Sequence, residues 1–174
     1  MKRRQAWLFV AVLVLLVGCD HAAKRVAQHA LGESGGFSLV ADMIRFELVT
    51  NSGAFLSMGS DLPSGVRDLI FLGLVPCVLL IVCTFAIRAG LSSGWPLLGL
   101  ALIAGGGLSN WLDRLLHGGA VTDFVSVGIG PLRTGIFNLA DVSVMAGAAL
   151  LLFFARPPVD EQAEAQPDAG SDPS

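Results

Sequence analysis

Apolar residues fall in four long runs, Ala6 to Cys19, Leu69 to Ile87, Trp95 to Leu112 and Ile136 to Ala155, separated by polar and glycine-rich stretches. Each run is close to the length an α-helix needs to cross the hydrocarbon of a bilayer, so the pattern predicts four membrane spans. The first run is short, and its helix is expected to continue past Asp20. Between the first two spans, Ile44, Phe46 and Leu48 alternate with Arg45 and Glu47 at the two-residue period of a strand. Thr50-Asn51-Ser52-Gly53 reads as a turn and Ala54 to Met58 as a second strand, giving a β-hairpin or small sheet over about residues 36–60, lying on the membrane surface. Pro76 is placed to kink the second span, which otherwise carries no polar side chain beyond Thr84 and reads as packing. The link from Arg88 to Gly94 is short, whereas Leu115 to Gly135 is long and rich in glycine, a loop able to fold over the membrane edge. From Pro157 the chain turns to Pro, Asp, Glu, Gln, Ala and Ser, so 1–156 is read as the membrane domain and 157–174 as a disordered acidic tail. No internal repeat is visible.

Composition agrees with the pattern. The chain has 174 residues, 53% hydrophobic and 14% charged, with a mean hydropathy of +0.70, too apolar for a soluble domain of this length. The net charge of -3 points to no nucleic-acid partner. Cys19, Cys77 and Cys83 all lie in apolar runs, which argues against a disulfide framework. Lys2, Arg3 and Arg4 ahead of the first span keep the N-terminus in the cytoplasm, and four spans return the C-terminus there. Arg88 and Arg156 fit this orientation, while Lys24, Arg25, Arg45, Arg67, Arg114 and Arg133 fall outside, so the first helix decides it. Leu16-Val17-Gly18-Cys19-Asp20 has the form of a lipoprotein signal peptide. The three remaining spans need no lipid anchor, so Cys19 is read as a helix residue.

Charged groups at membrane depth are costly unless paired or wetted, which makes each one a candidate for function. Asp20 and Lys24 stand four apart near the outer end of span one, in the favourable order for a same-face ion pair. At the end of span three, Gly106, Asn110, Asp113, Arg114 and His117 follow helical spacing, with a small residue below a polar stripe. Asp141 lies about one turn inside span four, and Asp123, flanked by apolar residues in the preceding loop, can dip to the same depth. Two such acids are either separate loop-end groups or a pair. A close pair shares one proton, and can then activate a water with one carboxyl while the other polarises a carbonyl, which hydrolyses a peptide without metal or cofactor.

In chain order, five motifs carry a resemblance: Asp20-His21-Ala22-Ala23-Lys24; Asn51-Ser52-Gly53-Ala54-Phe55; Gly105-Gly106 with Asn110 and Asp113-Arg114; Val121-Thr122-Asp123-Phe124; and Phe137-Asn138-Leu139-Ala140-Asp141. Together they resemble the lipoprotein signal peptidases (signal peptidase II), four-span aspartyl endopeptidases of bacterial membranes. The resemblance implies that Asp123 and Asp141 are the catalytic dyad. The implied substrate is a diacylglyceryl-modified prolipoprotein, cleaved just before its lipidated cysteine. It also implies that Asn51, Asn110, Arg114 and Asn138 line the site and hold the substrate backbone or the dyad. Asp20 and Lys24 would support the outer end of helix one, with Gly53 and Asp113 from the same motifs joining the supporting set. The hairpin would cradle the substrate, and the loop carrying Asp123 would close over it. The expected setting is the bacterial inner membrane, with the site at its periplasmic edge. The expected partners are the prolipoprotein and membrane lipid, with no cofactor or metal and a monomer favoured. Ala23, Ser109 and Thr134-Gly135 depart from the usual family pattern without removing a catalytic side chain.

Other chemistries fit less well. Ser109 and His117 are eight apart on one helix, poor geometry for a serine peptidase, and His21, His29 and His117 lack metal-ligand spacing. A transporter or channel could use Asp20, Lys24, Asp113 and Asp141 as an ion path, but the polar residues stop at the outer edge instead of continuing inward.

Overall fold

A computed structural model describes residues 3–32, 35–54, 58–88 and 94–154. The elements in chain order are α1 (Arg3–Leu31), β1 (Phe37–Leu39), β2 (Ile44–Asn51), α2 (Ser64–Arg88), α3 (Trp95–Leu116), β3 (Val121–Ile129), β4 (Leu132–Arg133) and α4 (Leu139–Phe154). Helices α1, α2 and α3 are long and apolar enough to cross a membrane, and α4 is a shorter apolar helix of 16 residues. Their outward faces carry Val14, Leu80, Ile81, Leu152 and Phe153, each about two-thirds exposed or more. In water such a surface would be a liability; against lipid tails it is matched. As expected, α1 runs well past Asp20.

The third helix is the centre of the bundle, packed most closely on α4, then on α1, then on α2. Small residues permit this. A Cβ on Gly99 would meet the carbonyl of Gly147, one on Gly147 would meet that of Gly99, and one on Gly106 would meet that of Ala140. Backbones can therefore approach where side chains would hold them apart. The apolar core, Phe9, Leu97, Leu100, Ala101 and Ala104 with Ala86, lies between α1, α2 and α3.

Span two begins earlier than its apolar run suggests, at Ser64, and its Leu69–Leu74 stretch is π-helical. Pro76 has no N–H to return to the carbonyl of Leu72, four residues earlier. The indole Nε1–H of Trp111 on α3 donates to that carbonyl instead, at 3.4 Å. The proline thus gives a local widening of the helix secured by its neighbour.

The four strands form one antiparallel sheet in the order β1-β2-β3-β4, so β2 and β3 pair although α2 and α3 intervene. Here the sequence reading needs correction. Ala54 and Met58, expected in the second strand of a hairpin, lie in a bend and a turn, and 55–57 fall outside the described residues. The partners of β2 are Phe37–Leu39 and Val121–Ile129. Likewise, the glycine-rich stretch read as a loop after α3 is largely the β3–β4 hairpin, so Asp123 sits on a strand. The expectations for residues 89–93 of the second link and for the tail 157–174 lie outside the described residues.

A register shift in β2 matters for the site. Phe46 pairs with Val125, but the next pairs are Val49 with Asp123 and Asn51 with Val121, so β2 carries one extra residue. A bulge of one residue exchanges the two faces of everything beyond it. Leu48, read as alternating in step with Ile44 and Phe46, is 40% exposed where those two are half-buried, while Asn51 turns to the face of Asp123 and is buried.

Candidate functional site

The C-terminal parts of α1 and α3, the N-terminal end of α4 and the β2–β3 pair converge on a set of buried polar groups: Asp20, Lys24, Asn51, Ser109, Asp113, Arg114, Asp123, Asn138 and Asp141. Every candidate named from the sequence falls in or beside this set. Asp123 is held by two amides, with Asn138 Nδ2 donating to Oδ1 at 2.6 Å and Asn51 Nδ2 donating to Oδ2 at 2.8 Å. Asp141 is held in the same manner: Asn110 Nδ2 donates to Oδ1 at 2.9 Å and the backbone N–H of Asn138 donates to Oδ2 at 3.2 Å.

Local sequence explains the arrangement. Asn138 immediately precedes α4, and its Oδ1 accepts the backbone N–H of Asp141 at 3.0 Å. Together with the Asn138 N–H on Asp141 this is a reciprocal capping box, in which an N-cap residue and the third helical residue satisfy each other's backbone donors. Asn51 is fixed by a turn: its Oδ1 accepts the N–H of Gly53 at 2.8 Å, which aims Nδ2 at Asp123 and at the carbonyl of Ala54, 3.0 Å away. Gly53 is in turn bound through its carbonyl by Arg114 Nη2 at 2.5 Å.

On the α1 side, Lys24 Nζ lies 2.7 Å from Asp20 Oδ2 and 3.0 Å from Asp113 Oδ2, and donates to Asn110 Oδ1 at 3.1 Å. Asp20 and Lys24 form the expected pair, within a wider network. His21 and His117 approach Asp113 Oδ1 with ring nitrogens at 3.7 and 3.4 Å.

Asp123 and Asp141 both line a cavity of about 400 Å³, together with Asn51, Asn110 and Arg114. Its other walls are apolar: Phe71 and Val75 from α2, and Val144, Met145 and Ala148 from α4. Met145 is 52% exposed, so the cavity wall extends to the apolar surface of the bundle. Burial, reinforced by the charge of Asp141, pushes the Asp123 carboxyl up to about 6, against the pull of the Asn51 and Asn138 amides and of Lys24.

Four contributors escaped the sequence reading. Phe71, on a span read as packing, lies under the Arg114 guanidinium at 4.6 Å from its ring centroid. Trp111 secures the π-helical stretch that carries Phe71. Arg67 Nη1 donates to Ser52 Oγ at 2.9 Å, tying the Asn51 turn to the start of α2. Ser109, noted as a departure from the family pattern and set aside as a serine nucleophile, donates to Asp20 Oδ2 at 2.7 Å. Pro76, which interrupts the helix ladder, and the serine four residues before Asp113 were the available signals.

Apolar helices, a small sheet at one end of them and a polar cavity at their junction define a multi-pass membrane protein with a site at one end of its helices. A family model for signal peptidase (SPase) II matches residues 12–156. The lipoprotein signal peptidase of Mycobacterium tuberculosis is 38% identical over 156 residues, covering 87% of this chain and 71% of that protein. That of Cronobacter sakazakii is 36% identical, covering 84% and 86%, and that of Aquifex aeolicus 32% identical, covering 89% and 91%. The chain therefore belongs to the signal peptidase II family, and is a peptidase. The fold agrees: a solved bacterial membrane enzyme superposes with a TM-score of 0.70 at 22% identity, covering 87% of this chain and 94% of its own.

Proposed function

We propose that this protein removes signal peptides from prolipoproteins by aspartyl catalysis, with Asp123 and Asp141 as the dyad. The observation that carries the reading is the pair of buried carboxyls, every oxygen of which accepts an N–H, on the wall of one cavity otherwise lined largely by apolar side chains. In that setting the dyad holds one proton between two carboxyls. The ionised member takes a proton from water as the water oxygen attacks the scissile carbonyl carbon, and the protonated member gives its proton to the carbonyl oxygen. Collapse of the tetrahedral species breaks the C–N bond, with a proton returned through the dyad to the leaving amine. Burial that raises Asp123 toward neutrality favours retention of the shared proton.

The substrate is a precursor whose cysteine carries diacylglycerol. Phe71, Val75, Val144, Met145 and Ala148 offer apolar contact to a signal helix and its acyl chains. Arg114 Nε is buried without a protein partner among the described residues, a donor free for a substrate carbonyl. By the basic residues ahead of α1, both termini face the cytoplasm and the site faces outward across the inner membrane. Residues 1–156 act as the peptidase unit, as a monomer and without cofactor.

The test is incubation of the purified protein with diacylglyceryl precursor and with the unmodified precursor, each with and without a chelator. Cleavage of the lipidated precursor alone, unaffected by the chelator, is expected; loss of cleavage on chelation would replace the aspartyl reading with a metal-dependent one.

A further inference from the structure

One lysine is tied to the backbone beside both acids. Asp20 Oδ1 accepts the N–H of Ala140, the residue before Asp141, at 2.9 Å. Asp113 Oδ2 accepts the N–H of Thr122, the residue before Asp123, at 3.0 Å. Lys24 Nζ sits between these two carboxylates and also donates to Asn110 Oδ1, so its three N–H donors meet three acceptors from two helices. That last bond fixes the Asn110 amide, turning its Nδ2 toward Asp141 Oδ1. Lys24 is 2% exposed, and Asp20 and Asp113 are each 1% exposed, so water is excluded from the network. A salt bridge that only stabilised the bundle would not need to end on these two backbone groups.

We propose that Lys24 is a positioning residue for the dyad: by clamping Asp20 and Asp113, it sets the spacing between the α4 end that carries Asp141 and the strand that carries Asp123. The inference rests on the dyad reading and extends it. Dyad members share one water, so a shift of about 1 Å in either costs on the order of 100-fold in rate.

The experiment measures kcat, KM and the pH profile of cleavage on folded, detergent-purified Lys24→Met, normalised to folded protein. The expected result is a fall in kcat of about 100-fold with KM changed by less than about threefold. The alkaline limb should also move to higher pH. Lys24 is a cation whose field favours the Asp123 carboxylate, Arg114 remains in place with Asp141 opposing it, and removing the cation makes the shared proton harder to lose. A purely structural salt bridge would lower the yield of folded protein and move neither kcat nor the limb, and that result overturns the proposal.

If Lys24→Met gives too little folded protein, Asp113→Asn and Asp113→Ala decide. Both remove the charge, but Asn keeps an acceptor for Thr122, so Asn should retain at least about tenfold more kcat than Ala. Equal kcat in the two would contradict positioning. Activity surviving in Asp123→Asn would instead sink the dyad reading itself, so the two failures are distinguishable.

Discussion

Asn138 and Asp141 cap one another across the first turn of α4, the Asn138 side-chain oxygen taking the Asp141 N–H at 3.0 Å and the Asp141 carboxylate taking the Asn138 N–H at 3.2 Å. The same Asn138 side chain gives its amide to Asp123 at 2.6 Å. One residue thus starts the helix and joins the two acids. Removing it separates helix stability from activity in a predictable way. Asn138→Ala should lose about 1 kcal/mol of stability for the cap, and about 100-fold or more in cleavage because Asp123 loses an anchor. Asn138→Ser, which can cap but cannot reach Asp123, should recover the stability and not the cleavage. Thermal melts in detergent beside cleavage rates check this; recovery of both by serine would remove the bridging role.

The Asp123 carboxyl predicts a pH dependence of stability. Its value rises from 3.8 to about 6 on folding, mainly through burial, so the folded state binds its proton more tightly than the unfolded chain does. This group therefore costs nothing below the unfolded value, and its ionisation penalises the folded state progressively as pH rises through the window between the two. Asp123→Asn cannot ionise. The stability of the wild type minus that of Asp123→Asn should fall as pH rises from about 4 to about 6 and then level off, as measured by denaturation midpoints. A difference that rises over that window would reverse the assigned shift.

The close approach of α3 and α4 predicts opposite outcomes for two glycines. Gly106 meets the carbonyl of Ala140 and the Val144 side chain, whereas Gly18, in the middle of α1, has open space where a Cβ would stand. Gly106→Ala should destabilise by about 1–3 kcal/mol through overpacking and lower cleavage, because Ala140 adjoins Asp141. Gly18→Ala should be neutral or slightly stabilising through helix propensity. Melting temperatures of the two variants, compared with the wild type, give the answer.

The helices were legible because membrane spans announce themselves as continuous apolar runs, and the charged residues within them stand out against that background. Asp20, Lys24, Asn110, Asp113, Arg114, Asn138 and Asp141 all sit on or at the start of those helices, where a period of 3.6 residues tells which share a face. The sheet was less legible. Asn51 and Asp123 are 72 residues apart, and their contact depends on an extra residue in β2 that no local pattern marks. Read without that residue, the alternation of Ile44, Phe46 and Leu48 would put Thr50, not Asn51, beside Asp123. The misreading at Ala54 and Met58 has the same origin: a turn signal after a strand suggests a local hairpin, while β2 pairs instead with β1 and with a strand reached through two membrane spans. Phe71 and Trp111 look like ordinary apolar residues; their roles emerge only once the Trp111 indole meets the Leu72 carbonyl and Arg114 comes to rest over the Phe71 ring.

Whether Asp123 and Asp141 act as the dyad is decided by the cleavage of a diacylglyceryl precursor by Asp123→Asn and by Asp141→Asn, each purified, folded and inserted like the wild type. Each substitution keeps the shape of the side chain and removes its ability to exchange a proton, so each should reduce the rate by at least about 100-fold. Near wild-type cleavage by either one would contradict the dyad.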